Sequence, residues 1–175
     1  MLNPRSRQTG FTMPEMLIVV AVIALVGGIA ITAVVPWLGR EAMRGAVYQV
    51  QQAMQIARAQ AIARNRNTRL VVDAATRQVA VIDLNDPSDL TDDLLVHNMT
   101  LPKNVRFARP DTGAAVTLTL VSTNLYQATF TSDGSVTGAG IVSLTGGNGS
   151  YRITLYGAGG TGLERWAGSA WVMAS

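Results

Sequence analysis

The sequence contains no cysteine and one histidine, His97, in 175 residues. The first absence excludes disulfide frameworks, thiolate metal sites, redox pairs and cysteine nucleophiles. The second excludes a multi-histidine zinc site. Much catalytic chemistry goes with them. Charge is scarce as well, at 14% of residues against 48% hydrophobic. The length is that of one domain. A formal charge of +3 and a pI near 9.8 describe a basic protein that would seek nucleic acid or an acidic membrane surface, provided the charges are not segregated along the chain.

The apolar residues are concentrated. Residues 16–35 read MLIVVAVIALVGGIAITAVV, with no charge and Thr32 as the one polar side chain. As a helix this run extends about 30 Å, the thickness of a bilayer's hydrocarbon core. A cleaved secretory signal competes, with Arg5 and Arg7 as its basic start and Gly28-Ile29-Ala30 as a weak cleavage site, but signal cores run about 7 to 15 residues. A buried helix of a soluble core competes too, and the same length counts against it. Arg5, Arg7 and the amino terminus precede the run with no acid, whereas Glu41 partly offsets Arg40 and Arg44 after it. That bias favours a cytoplasmic N-terminus and an exported C-terminal part.

The run is entered through Gly10-Phe11-Thr12-Met13-Pro14-Glu15. A carboxylate at the edge of hydrocarbon is costly unless paired, and no cation lies nearby in the span. Two readings of Glu15 stay open. In one, Thr12 caps the helix and Glu15, three residues on, reaches back to its N–H in a capping box, with Pro14 in the first turn. In the other, Glu15 takes a cation from outside the span. Capping leaves the basic leader ending in Gly10 unexplained.

The ordered combination of Arg5, Arg7, Gly10, Phe11, Thr12, Glu15 and the apolar run resembles the prepilins of type IV pili and the pseudopilins of type II secretion. The resemblance implies that a prepilin peptidase cuts between Gly10 and Phe11 and that the new Phe11 amine is N-methylated. It also implies a cation for Glu15, namely the Phe11 amine of a neighbouring subunit. In a low-dielectric helix bundle such a pair is strengthened, and a subunit out of register is penalised.

After the span the helix continues, with Gly27-Gly28 and Pro36 as positions where it could kink. Met43, Val47, Val50, Met54, Ala57 and Ala61 recur at spacings of four and three, with Gln51, Gln52, Gln55 and Arg58 on other faces. The small and unbranched stripe suits packing against a sheet better than a coiled-coil seam. Arg64, Arg66 and Arg69 cluster near the predicted helix end, where Asn65 or Asn67 supplies the stop. Strands are predicted at 70–73, 78–83, 105–108, 115–121, 125–131, 141–145, 151–156, 163–166 and 170–173. Turns fall at 74–77, Asp133-Gly134, Asn148-Gly149 and 167–169. The fold class is α+β: a long N-terminal helix, transmembrane in its first half and amphipathic in its second, packed on antiparallel sheet in the manner of pilins. The segments are a leader (1–10), a transmembrane helix half (11–36), an amphipathic helix half (37–69) and a β-rich head (70–175).

Other motifs carry less. Gly157-Ala158-Gly159-Gly160-Thr161-Gly162 matches a dinucleotide fingerprint, yet too little chain follows for the required helix and second strand, so it reads as a flexible loop. Asp86, Asp89, Asp92 and Asp93 lack the spacing of an EF-hand, and a solvated loop with Asp-capped turns accounts for them. His97 has no partner evident in sequence. No catalytic set, metal site or cofactor site emerges, and the chain does not read as an enzyme. Ala59-Gln60-Ala61-Ile62-Ala63-Arg64-Asn65 and Phe130-Thr131-Ser132-Asp133-Gly134-Ser135 resemble the minor pseudopilin H and FimT-like group. FimT-like pilins implicated in DNA uptake carry Gly-Arg-x-Arg near the C-terminus, where this chain has Gly162-Leu163-Glu164-Arg165. One arginine is missing and an acid has appeared.

The reading is a minor pseudopilin of a type II secretion system, with a FimT-like minor type IV pilin as the alternative. Its partners are other pilin-like subunits, the peptidase and N-methyltransferase, and an inner-membrane assembly platform. It spans the bacterial inner membrane once, with a periplasmic head. DNA contact through Arg64, Arg66, Arg69 and Arg165 is the secondary reading. Loss of the leader lowers the formal side-chain charge to +1, leaving a basic stem from Arg40 to Arg69 and a slightly acidic head.

Overall fold

The computed structural model describes residues 11–84, 93–147 and 149–174, without the side chains of 30–37. Gly10, Asp86, Asp89, Asp92 and Asn148 lie outside the described residues. Helix α1 spans Met13–Arg64, and the chain divides into two units, Met1–Leu38 and Gly39–Ser175.

In the first unit α1 begins with the predicted cap. The Thr12 carbonyl accepts from the Met16 N–H at 3.2 Å. Glu15 Oε2 accepts from the Thr12 N–H at 3.4 Å, the reciprocal half of a capping box. Pro14 lies in the first turn, where a missing N–H leaves no helical bond unmade. The described side chains of residues 11–29 are all exposed, Leu17 at 69% and Ile23 at 65% among them. Among the described residues no helix is long and apolar enough to cross a membrane. The described side chains of the apolar run stop at Ile29, short of the predicted end at Val35.

In the second unit the amphipathic stripe is covered. Met43, Val47, Val50, Met54, Ala57 and Ala61 are all buried, joined by Ala46 and Ala53. The helix closes at Arg64 because Asn65 takes a left-handed conformation (φ 51°) that few side chains other than Asn tolerate. Its N–H then reaches the Ile62 carbonyl at 3.2 Å, and the Arg66 N–H reaches that of Ala61 at 3.1 Å, satisfying two terminal carbonyls. The helical segment predicted to reach residue 69 therefore ends earlier. Thr68 and Arg69 instead open the first strand.

β1 (Thr68–Asp73) and β2 (Gln78–Asp83) form the predicted hairpin. Asp73 Oδ1 holds its turn by accepting from the N–H groups of Ala75 and Thr76 at 2.9 and 3.1 Å. β3 (Leu94–Thr100), which His97 and Asn98 hid from the alternation pattern, pairs with β2 across a bulge. Then follow β4 (Val105–Phe107), β5 (Thr119–Ser122), β6 (Leu125–Phe130), β7 (Val136–Thr137), β8 (Gly140–Gly146), β9 (Gly149–Leu155), β10 (Thr161–Trp166) and β11 (Trp171–Met173). One sheet runs β3-β2-β1-β6-β5 with β7 also on β6, the other β11-β10-β9-β8-β4, and their strand pairs are antiparallel.

The predicted strand at 115–121 is split between these sheets. Val116 makes one bridge to Val142 of β8, while Thr119 onward belongs to β5. Thr117 binds Ile141 twice, its N–H donating to the carbonyl at 2.9 Å and its Oγ1 accepting from the N–H at 2.8 Å. The segment thus stitches one sheet to the other. A single hydrophobic cluster unites the helix stripe with Leu70, Val72 and Phe130 of the first sheet and Leu144, Ile153 and Leu155 of the second.

Phe130 is fully buried in this cluster. Phe130→Ala is expected to lower the unfolding free energy of the detergent-solubilised full chain by about 3–5 kcal/mol, read by denaturant titration. A loss below about 1 kcal/mol would show that the helix and sheets do not share one close-packed core.

Candidate functional site

Two places among the described residues bear on the sequence-predicted sites: the N-terminal end of α1, and the loops that close over its C-terminal end. At the first, Phe11 lies just ahead of the helix and is 75% exposed. Glu15 caps through Oε2, and its Oε1 has no partner among the described residues. One carboxylate oxygen therefore satisfies the helix terminus while the other remains available to a cation. The two sequence readings of Glu15 are compatible, since capping uses only half of its acceptor capacity.

At the second place, the two short stretches that carried the subgroup resemblance meet. A Cβ added to Gly134 would sit 2.9 Å from Ile62 Cδ1 and 3.2 Å from Arg58 Nε, so the Asp133-Gly134 turn lies directly on α1. Gly134 also has φ 81°, which favours glycine. Asp133 organises the turn. Its Oδ1 accepts from the Thr131 hydroxyl at 2.5 Å, the Ser135 hydroxyl at 2.8 Å and the Ser135 N–H at 3.0 Å. These bonds, led by that of Thr131, hold the carboxyl down to about 2, because they favour the charged form.

The glycine-rich stretch is a packed hairpin turn, which corrects its reading as a flexible loop. Its backbone is closed by Gly159 N–H to Tyr156 carbonyl at 2.8 Å and by Tyr156 N–H to Gly160 carbonyl at 2.9 Å. Gly159 is buried, and a Cβ there would overlap the Gly134 carbonyl oxygen and stand 2.9 Å from Arg58 Nε. The Val136 N–H donates to the Gly157 carbonyl at 2.8 Å, joining the two turns. Gln51 and Gln55 reach the same hairpin, both donating to Thr161 Oγ1 at 3.2 Å. The polar flank of the helix is thus spent on holding the head.

The arginines proposed to contact DNA have different surroundings. Arg64 pairs with the buried carboxylate of Asp83 at 3.3 Å, Arg69 lies on β1 with its Nε buried, and Arg66 is exposed just after the helix. Arg165 belongs to β10 in the other sheet. Its neighbour Glu164 faces Arg152 across the strand pair and binds it at 2.6 Å. The acid that replaces a basic position in this stretch is therefore part of a cross-strand pair. The basic stem is also less free than the linear charge pattern implies, because a head carboxylate partners Arg64.

Sequence reading missed a further network. Arg109 grips Asp111 through two bonds of 2.6 Å, and Asp111 Oδ2 also accepts from the Trp171 indole N–H at 3.1 Å. Arg152 and Arg109 lie over the Trp171 ring at 4.8 and 5.7 Å, and Trp166 meets it edge-on. The Arg109 bonds first, then the indole, push the Asp111 carboxyl well below its ordinary range. The Arg152 to Glu164 part could have been found by counting outward from the 156–160 turn. The rest joins a loop to a distant strand and leaves no local signal. Among the described residues no three His, Asp or Glu side chains are grouped to hold a metal ion.

The family model described as Type II transport protein GspH matches residues 46–159, more than half of the chain. The chain belongs to the GspH family. The matched span covers both subgroup stretches and the turns that lock them together. A second model, the prokaryotic N-terminal methylation motif, matches residues 5–31 and implies a membrane-anchored protein. Among solved structures, this GspH-family chain is similar to the type IV minor pilin FimU of Pseudomonas aeruginosa, with a TM-score of 0.52, 12% identity, and coverage of 78% of this chain and 97% of that one. That likeness shows the α+β pilin fold. The minor pseudopilin EpsH from the type II secretion system of Vibrio cholerae scores 0.45 at 15% identity, covering 73% of this chain and 98% of that one, too low to establish a shared fold by itself. No curated protein matches the chain. Family and fold are those of pilin-like subunits.

Because the Asp133 carboxyl is held low, its contribution to stability is present above the unfolded value of 3.8 and is lost as pH falls through about 2. Asp133→Ala is expected to melt below wild type at neutral pH, with the gap closing between those limits. A gap that persists undiminished at the acid limit would show that the carboxylate charge does not hold the turn.

Proposed function

We propose that this type II transport protein works as a minor pseudopilin, a subunit that acts by assembling into a short filament. The observation that carries the reading is the cap sequence Phe11 to Glu15 leading into a helix whose apolar side chains are exposed on every face from Met16 to Ile29. Covering them is worth about 1.5–3 kcal/mol for each large aliphatic side chain, and all the described side chains of residues 11–29 are exposed. Hydrocarbon provides it before assembly and neighbouring helices provide it afterwards. The residues from Met16 to Val35 hold the subunit in the inner membrane in a single pass, with the head in the periplasm, and an inner-membrane platform draws it into the filament.

Cleavage between Gly10 and Phe11 by a prepilin peptidase creates a new amine, which is N-methylated and remains a cation. The free oxygen of Glu15 in one subunit receives the Phe11 ammonium of the next. At 4 Å and an effective dielectric near 20 the gross attraction is about 4 kcal/mol, enough to disfavour insertion out of register. The head then makes the contacts that distinguish this subunit from others.

The mature, membrane-extracted protein is expected to begin at Phe11 with one added methyl group in intact mass spectrometry. A chain still beginning at Met1, or cut after Ala30, would refute the processing scheme. Glu15→Gln keeps an oxygen that can accept from the Thr12 N–H but removes the charge. It is expected to mature normally and fail to enter filaments, as read by shearing and blotting; normal assembly would eliminate the Glu15 to Phe11 pair.

A further inference from the structure

Arg44 of α1 and Arg165 of β10 line one cleft of about 370 Å³, between the exposed flank of the helix and the end of the second sheet. Neither makes an ion pair or hydrogen bond among the described residues, whereas Arg64, Arg109 and Arg152 each have a carboxylate within 3.3 Å. Tyr48, one helical turn beyond Arg44 and 63% exposed, lies on the same stripe, and Tyr151 of β9 lines the cleft from the sheet. Val47 and Leu163 supply apolar wall where the cleft meets the core.

Two unpaired guanidinium groups in one concavity repel each other until an anion enters, and Arg with Tyr around an apolar patch is the composition of a protein-binding anchor point. A nucleic-acid backbone needs a row of cations following its phosphates. Among the described residues that line this cleft Arg44 and Arg165 are the two cations, and Arg152 and Arg109 are bound to Glu164 and Asp111. A carboxylate flanked by apolar residues fits both the charge and the wall. Resting on the filament reading above, we infer that this cleft seats an acidic segment of a neighbouring subunit. Arg44 and Arg165 hold an Asp or Glu side chain, and Tyr48 and Tyr151 pack against the residues beside it. The site lies on the head, remote in sequence from Phe11 and Glu15, and supplies partner choice where the N-terminal pair supplies register.

The test places the photo-crosslinker p-benzoylphenylalanine at position 48 of the full chain in its own membrane, with the adduct mapped by mass spectrometry. The expected adduct is a peptide of another pilin-like subunit with Asp or Glu beside the attachment point. Its yield falls at least about tenfold in the Arg44→Ala, Arg165→Ala double variant and recovers in the corresponding double Lys variant, since both positions are exposed and the Lys pair restores the charge. An adduct to nucleic acid or lipid, a peptide without a carboxylate, or an unchanged yield in the double Ala variant overturns the inference. Mature mass and filament entry are measured on the same cells. Absence of the adduct alongside normal filaments removes the cleft alone, whereas loss of both in the otherwise wild-type chain removes the filament reading on which it rests.

Discussion

The head depends on the burial of one helical stripe, from Met43 to Ala61, against both sheets at once. Half of its members are small: Ala46, Ala53, Ala57 and Ala61 let the backbone of α1 approach the strands, while Met43, Val47, Val50 and Met54 fill the space between. Among the described residues α1 is the one helix, and it shares a single cluster with Phe130, Leu144 and Ile153, so removal of the helix would open that cluster. The turns around Asp133 and Gly159 follow from this arrangement. They sit where the two sheets converge on the helix, and they require glycine because a side chain would meet Ile62, Arg58 or the opposing turn.

The same helix faces opposite demands along its length. After Leu38 its apolar residues form a stripe that the protein covers itself, with Gln51 and Gln55 tying the flank to Thr161. Before that point the described apolar side chains, from Phe11 to Ile29, are exposed on every face. A chain with that division is incomplete as a monomer in water. The exposed surface calls for lipid or other helices to cover it, and in the filament proposed above the half-used Glu15 carboxylate is what sets where those helices stop.

The helix, its stripe and most strands were legible because each is a local pattern. The four-three spacing marked the buried face, Asn65 and Asn67 marked the stop as alternatives of which Asn65 takes it, and the 74–77 turn marked the first hairpin. The strand at Leu94–Thr100 was hidden because its polar residues interrupt the alternation. The segment at 115–121 was misread because it serves two sheets, and only the three-dimensional exchange of hydrogen bonds at Thr117 shows this. At the candidate site, the Phe11 to Glu15 motif was visible from order alone. The engagement of Glu164 with Arg152 was within reach of a hairpin register, whereas the placement of Arg109 over Trp171 and the sharing of one cleft by Arg44 and Arg165 were not, since each joins residues far apart in sequence. The glycine-rich turn misled for the same reason: its composition signals freedom, while its rigidity comes from contacts with Arg58 and Gly134.

The central claim is that the exposed apolar surface of the N-terminal helix is covered in the working protein while the head remains in water. The absence of cysteine makes this directly measurable, since a single introduced thiol is the only one in the chain. Ile23→Cys and Val121→Cys replace residues that are both exposed in the structure, at 65% and 52%. A membrane-impermeant maleimide applied to inverted and right-side-out membranes is expected to label Val121→Cys from the periplasmic side alone and to leave Ile23→Cys unlabelled from either side. Equal labelling of the two thiols from an aqueous face would contradict the account.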